Sequence, residues 1–519
     1  MKRLLSALTA LFLLLSALPA LAENAFLIRI DLNGERTPIS PLIYGVNNFS
    51  DATVYNRVTT TAVRQGGNRM SAYNWETNFS NAGSDWHHSS DTYLSSMPQP
   101  GYVATSFVKI ARARGIPYRL TTLQLAGYAA ADKAGSVSEA ESAPSARWVR
   151  VAPTKGGEFS LRPDLTDGVV YMDEYVHYLI SKLGTSRQGG VQAYSLDNEP
   201  ALWQHTHSRV HPTPTGAREL VDKSIATAAA VKALDPDAEI YGPALYGFTA
   251  YENLADDQDP DWVAAKNSQG YRWYIDYYLD GMRQASEAAG IRLLDVLDIH
   301  YYSESARTGF ADRLQAVRTL YEPGFRENSW IGQWRQHHLP LLTTVKESID
   351  RWYPGTKLAI TEYNYGGEDI SASIAQAETL GCFASFGVYS AFIWGGNDWQ
   401  YNAINLYTNF DGQGTAFGDL LIPVQAPDHS HCVAYAALSS ADPGVLTVML
   451  TNKSGQKQTA VLLPEGGEAP FASVQVWAIW GDSPDIRPLQ GSITPDGRTV
   501  LIEMPEYCAA MVLLSTEAP

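Results

Sequence analysis

The feature that most restricts the fold of this chain is a repeated change of hydrophobic period. Between about residues 42 and 420, short apolar runs of strand length alternate with amphipathic segments of helical period. The strand-like runs fall at 42–46, 62–66, 117–124, 191–196, 239–243, 294–300, 357–361 and 389–394. Helical period is clearest at 171–183, 217–234, 271–289, 339–352 and 371–386. Gly184, Gly290 and the Asp235-Pro236 pair stand where helices should stop. Strands alternating with helices in this number predict an α/β fold, a TIM-like (β/α)₈ barrel over 41–420. A doubly wound open sheet is the alternative, but no glycine-rich phosphate loop opens any of these helices.

Beyond about residue 421 the period shortens. Segments 432–439, 445–452, 458–463, 473–480, 498–503 and 508–515 read as strands, with turns at Asn452-Lys453-Ser454-Gly455 and Pro495-Asp496-Gly497. There is no room for helices, so 421–519 is expected to be a second, smaller all-β sandwich domain. Phe26, Ile28, Ile30 and Leu32 share one side of a further alternating strand. With the barrel starting after Pro41, residues 23–40 are expected to lend that strand to the sandwich.

Residues 1–22 have the organisation of an export signal. Lys2 and Arg3 precede an apolar run over 4–18, and Ala20-Leu21-Ala22 forms a small-x-small cleavage site. A secreted protein, extracellular or periplasmic and without a membrane partner, is expected. The formal charge, 38 − 55 = −17, argues against nucleic acid, whose phosphates call for a basic surplus. The 13 Trp, 29 Tyr and 15 Phe suit a carbohydrate binder, because sugar rings stack on aromatic faces, although many such rings simply build core. Three cysteines are too few for a disulfide framework; Cys382 falls in a helical stretch, and Cys432 and Cys508 fall in strands that could bring them together.

Catalytic groups in such barrels project from the C-terminal strand ends. Those ends carry Arg64 to Arg69, Asn198-Glu199-Pro200, His300-Tyr301-Tyr302, Glu362-Tyr363-Asn364 and Trp394 to Trp399. Two glutamates, each directly after an apolar strand, are what glycoside hydrolysis needs: one acid for the leaving oxygen and one carboxylate for the anomeric carbon.

The runs Arg64-Gln65-Gly66-Gly67-Asn68-Arg69, Ala72-Tyr73-Asn74-Trp75-Glu76, Tyr194-Ser195-Leu196-Asp197-Asn198-Glu199-Pro200 and Glu327-Asn328-Ser329-Trp330-Ile331-Gly332-Gln333-Trp334 resemble glycoside hydrolase family 44. The similarity spans essentially the whole mature chain. It implies a TIM-like barrel with a β-sandwich, and an endo-acting β-1,4-glucanase that retains anomeric configuration, some members also taking xyloglucan or xylan. By position it makes Glu199 the general acid/base and Glu362 the nucleophile.

Around that pair, Asn198 is placed to bond a sugar hydroxyl, and Arg64 to hold a carboxylate ionised. His300 and Tyr301 are candidates to orient a carboxylate or to line the sugar at the point of cleavage, with ordinary packing of a strand end as the alternative. Trp394 ends the last strand, where its ring could floor the cleaved sugar. Trp330, Trp334 and Trp399 are read as loop residues that extend the cleft, with Trp330 and Trp334 also spaced as a helical pair. His205, His207, His87-His88 and His337-His338 lack the spacing of a catalytic zinc motif. No cofactor is expected to be required; the acidic stretch Asp164 to Asp173 offers oxygen ligands for a structural Ca²⁺, with a solvated acidic surface as the alternative reading. The expected partner is a β-glucan or xylan-type polysaccharide, acted on by a monomer. A non-catalytic polysaccharide binder and a metal-dependent hydrolase are the competing readings.

Overall fold

A computed structural model describes residues 25–47, 52–467 and 469–518, so the export segment lies outside the described residues. Eight parallel strands close into a barrel in chain order: Gly45–Asn47, Ala62–Gln65, Tyr118–Leu123, Ala193–Leu196, Glu239–Leu245, Val296–Tyr302, Lys357–Asn364 and Ser390–Ile393. They are called the first to eighth barrel strands below. The first begins later than its apolar run suggests. Ser40 caps a 3₁₀ turn, Pro41–Tyr44, whose leading proline has its φ preset for that turn.

Helices Met172–Leu183, Ala217–Leu234, Tyr274–Ala289, Leu341–Trp352 and Ile370–Ser385 cover the barrel where the helical period placed them. Tyr102–Ala113, Pro260–Gln269 and Asp398–Thr408 are further helices. Leu42, Leu120, Tyr241, Val296 and Phe392 belong to one buried cluster that fills the barrel interior. Among the described residues, no helix is long and apolar enough to cross a membrane.

Two further sheets form the sandwich. One has five strands, in the order Val424–Gln425, Ala25–Asp31, Gln458–Glu465, Val500–Met504 and Gly491–Ile493. Its N-terminal member runs parallel to Gln458–Glu465, with Ile28 opposite Leu462. The other has seven strands, centred on Val445–Asn452, Cys508–Ser515 and Ser473–Trp480. Its inner face gives Leu446, Val448, Ala510 and Val512 to the sandwich core, and its outer face packs Met449, Met511 and Ile479 against the barrel's helices. Both faces are covered, which is why these strands read as nearly continuous apolar runs.

Helix Ile370–Ser385 lies between barrel and sandwich and is buried on every side from Ile370 to Ala384. Gly381 is needed there: a Cβ would sit 2.1 Å from the Tyr435 ring. Cys382, Cys432 and Cys508 are all free, buried thiols. Cys432 and Cys508 therefore fill space in the sandwich core as small apolar groups.

Candidate active site

The two glutamates reach the barrel mouth through backbone irregularities. In the pairing of the sixth and seventh strands, Ile299 faces Ile360 but His300 faces Glu362, so a bulge at Thr361 re-aims the residues that follow. The fifth strand carries another bulge, between Pro243 and Leu245, where Ala244 takes φ 54°. Ala244's carbonyl accepts the Glu199 amide at 3.1 Å. Glu199 itself has φ 44° and Asp197 has φ 66°, left-handed conformations that cost a non-glycine residue roughly 1–2 kcal/mol each.

Buried Asp197 offsets that cost. Its carboxylate accepts the amides of Asn198 (2.8 Å), Leu125 (2.5 Å) and Ala126 (3.0 Å) and the hydroxyl of Ser71. Burial raises its pKa, and those four donors oppose the rise.

Fully buried Arg64 organises the floor. Nη1 donates to Glu362 Oε1 (2.8 Å) and Asn47 Oδ1 (3.0 Å), and Nη2 donates to Asn198 Oδ1 (2.9 Å). Asn198 Nδ2 donates in turn to Asn68 at 3.3 Å. Tyr302 donates its hydroxyl to Glu362 Oε2 at 2.9 Å. His300 Nδ1 lies 2.9 Å from Glu199 Oε1 and 3.6 Å from Glu362 Oε2, bridging the two acids. One ligand-type atom from each of Glu199, His300 and Glu362 lies within 4.8 Å of the others.

The electrostatics separate the two carboxyls. Burial alone would raise the Glu362 pKa, but His300, Arg64 and Tyr302 outweigh it and hold the group below the usual carboxylate range. Burial would lower the His300 pKa, yet Glu362 and then Glu199 raise it overall. Glu199 faces His300 alone among these cations and is the more exposed acid, at 15% against 6%.

The aromatic candidates divide. Trp394 sits at the mouth with its ring against Gly67, where φ is 87° and a Cβ would come within 2.4 Å of the ring; only glycine fits. Tyr301 is not at the site. Strand alternation turns it away from His300, and it packs on Tyr365 with ring centroids 6.2 Å apart. Trp399 is not a cleft residue either, because it begins helix Asp398–Thr408 and is buried in the main core. Trp330 and Trp334 share a single helical turn, where Trp330 packs edge-on to Phe248 at 6.4 Å and Trp334 is 64% exposed.

Tyr302, Asn68 and Asp197 lie in runs singled out in the sequence but given no role of their own there, and Asn47 was missed. Tyr302 was recoverable, since a strand that turns His300 inward also turns residue 302 inward. Exposed Trp86 follows Asp85, which accepts from Asn68 Nδ2 at 3.1 Å, so a second open indole stands near the Asn198 side of the mouth. In the acidic stretch, Asp164, Asp167 and Asp173 accept local backbone amides, and Glu174 accepts Lys155 Nζ.

A parallel barrel whose mouth brings two strand-end carboxyls this close, one clamped by an arginine, defines a glycoside hydrolase. The family-model description "Glycoside hydrolase family 44" matches residues 79–305. Endoglucanase A of Paenibacillus lautus is 40% identical over 515 residues, covering 94% of this chain and 72% of that protein. The β-mannanase/endoglucanase A of Caldicellulosiruptor saccharolyticus is 39% identical over 517 residues, and the match covers 92% of this chain but 38% of that longer protein. A Paenibacillus polymyxa family 44 xyloglucanase, solved with xyloglucan, superposes with TM-score 0.90 at 43% identity over 95% of this chain and 100% of that one. The chain belongs to glycoside hydrolase family 44.

Proposed function

We propose that the protein is a secreted, retaining endo-β-1,4-glucanase that cuts cellulose-type glucans, with xyloglucan or xylan as further substrates. The observation that carries this reading is the closeness of the acids: an oxygen of Glu199 and one of Glu362 lie within 4.8 Å. Retaining enzymes hold their carboxyls about 5–5.5 Å apart, whereas inverting ones need about 6.5–9.5 Å to admit a water. The relatives named above, which act on glucan or xyloglucan, support the substrate class.

In this mechanism Glu362, kept anionic by Arg64 and Tyr302, attacks the anomeric carbon while Glu199 gives its proton to the departing oxygen. Water then attacks the anomeric carbon as Glu199 removes one of its protons, and the bond from that carbon to Glu362 breaks to free the carboxylate. Asn198, oriented by Arg64 and Asn68, presents its amide to the sugar at the point of cleavage. Trp394, Trp86 and Trp334 offer ring faces to the polymer. No metal is required for either step.

The test uses Glu199→Ala with an aryl cellobioside whose phenol leaves without acid help. A burst of phenol followed by slow turnover is expected, and azide should speed turnover and yield the β-glycosyl azide. An α-azide would mean single displacement and overturn retention while leaving the glycosidase intact. A panel of carboxymethyl cellulose, mixed-linkage glucan, xyloglucan and xylan ranks the substrates.

His300 gives a pH prediction. It is the foremost cation depressing the Glu362 pKa, so His300→Asn lets that pKa rise. Glu362 must be ionised to attack, so the acid limb of the kcat/KM profile should move to higher pH. An unmoved acid limb would remove His300 from control of the nucleophile.

A further inference from the structure

The adjacent histidines 337 and 338 take no part in the chemistry above. They share one 3₁₀ turn, Gln336–His338, in which successive side chains diverge by about 120°. Their ring centroids nevertheless lie only 4.0 Å apart. Both rings turn Nε2 towards a single atom, Glu252 Oε1, at 3.2 Å from His338 and 3.9 Å from His337. One nitrogen from each ring and one carboxylate oxygen fall within 4.8 Å of one another.

We propose that Glu252, His337 and His338 form a structural zinc site that pins the tryptophan-bearing turn Trp330–Trp334 to the helix Phe248–Asn253 at the rim of the barrel mouth. Ligand atoms about 2.0–2.1 Å from a tetrahedral Zn²⁺ stand about 3.3 Å apart, so the three groups need only small side-chain rotations to close on the ion. Two imidazoles and one carboxylate select zinc over calcium or magnesium, which take oxygen ligands.

Two of the three ligands are already held in place. The His338 ring is stacked on Trp273, with centroids 4.7 Å apart and planes 14° apart, and Trp273 Nε1 donates to Ser348 at 2.8 Å. Arg335 Nε lies 2.6 Å from Glu252 Oε2, which fixes the carboxylate and leaves Oε1 free to ligate. His337 is 63% exposed, so the fourth coordination position opens to water.

The location gives the ion a purpose. Glu252 lies on the helix that follows the fifth barrel strand, and its neighbour Tyr251 donates a hydroxyl hydrogen bond to the His300 carbonyl. The histidines end the turn that carries Trp330 and Trp334, in the connection between the sixth and seventh strands. Zinc would join these two connections beside the platform that holds His300.

The test takes the full-length enzyme, stripped with a chelator, and titrates it calorimetrically with zinc chloride. One zinc per chain is expected, with no comparable heat from calcium chloride. His337→Ala, at an exposed position that the fold tolerates, should weaken zinc binding at least about tenfold. Anomalous scattering at the zinc edge should place the ion between the two rings and Glu252. Amide exchange over 330–338 should slow on zinc addition in wild type and not in His337→Ala. Three outcomes would each overturn the site: no zinc uptake by wild type, equal affinity in His337→Ala, or an anomalous peak elsewhere.

Discussion

Glu362→Gln is expected to lower kcat on a soluble glucan by on the order of 10³-fold or more, because it removes the attacking charge and keeps the shape. The structure adds an expectation about stability. Arg64 is fully buried, and a buried cation stripped of its partner is ordinarily costly. Here His300 limits the damage. Its pKa is raised by Glu362 and then by Glu199, so losing the Glu362 charge lowers it and shifts the ring towards its neutral form, which offsets part of the lost negative charge. Arg64 also keeps Asn47 and Asn198 as acceptors. Thermal unfolding at neutral pH should therefore change little while activity collapses. Activity within tenfold of wild type would remove Glu362 from the nucleophile's role, and a large fall in Tm would show that His300 does not compensate.

The largest stability effect is expected far from the mouth. Lys453, in the turn after Val445–Asn452, reaches Glu378 on helix Ile370–Ser385 at 2.5 Å, and neither side chain is exposed. Lys453 Nζ also donates to the His429 carbonyl at 3.0 Å, and Tyr321 donates to Glu378 at 2.8 Å. Lys453→Met alone should cost about 3–5 kcal/mol, because it leaves a buried carboxylate without its cation. Lys453→Met combined with Glu378→Leu should regain most of that loss, since the pair's net worth is far smaller than the penalty for breaking it. Denaturant midpoints of the two variants against wild type measure both statements. A single variant as stable as wild type would mean that water reaches the carboxylate.

Much of this architecture was readable from hydrophobic period alone. Helix Ala217–Leu234 and strands Val445–Asn452, Ser473–Trp480 and Cys508–Ser515 fall where the period put them. What escaped was set by tertiary contact or by turn chemistry. Helix Asp398–Thr408 starts from an Asn397 cap directly after Gly395-Gly396, so in the sequence its first turn, with Trp399, reads as loop. Tyr302, not Tyr301, shares the face of His300, because a pleated strand puts alternate residues on the same side. Both glutamates were legible from their strand-end positions. Asp197, Asn47 and the bulges that aim the site were not, because a bulge is a relation between two strands and leaves little mark on either.

The helix Ile370–Ser385, covered on all sides, has a practical consequence for anyone redesigning this enzyme. Although the chain falls into a barrel and a sandwich, the line between them cannot be used as a cutting site. A catalytic fragment ending near residue 420 would lay bare the flank of that helix that meets Met449, Met511 and Tyr435, together with the carboxylate of Glu378. A sandwich fragment would expose the same surface from the other side, and would lose the strand Ala25–Asp31, which sits at the far end of the sequence. Grafting a different accessory module onto this barrel therefore means keeping the sandwich and appending to it, as one would extend a wall without moving its foundation.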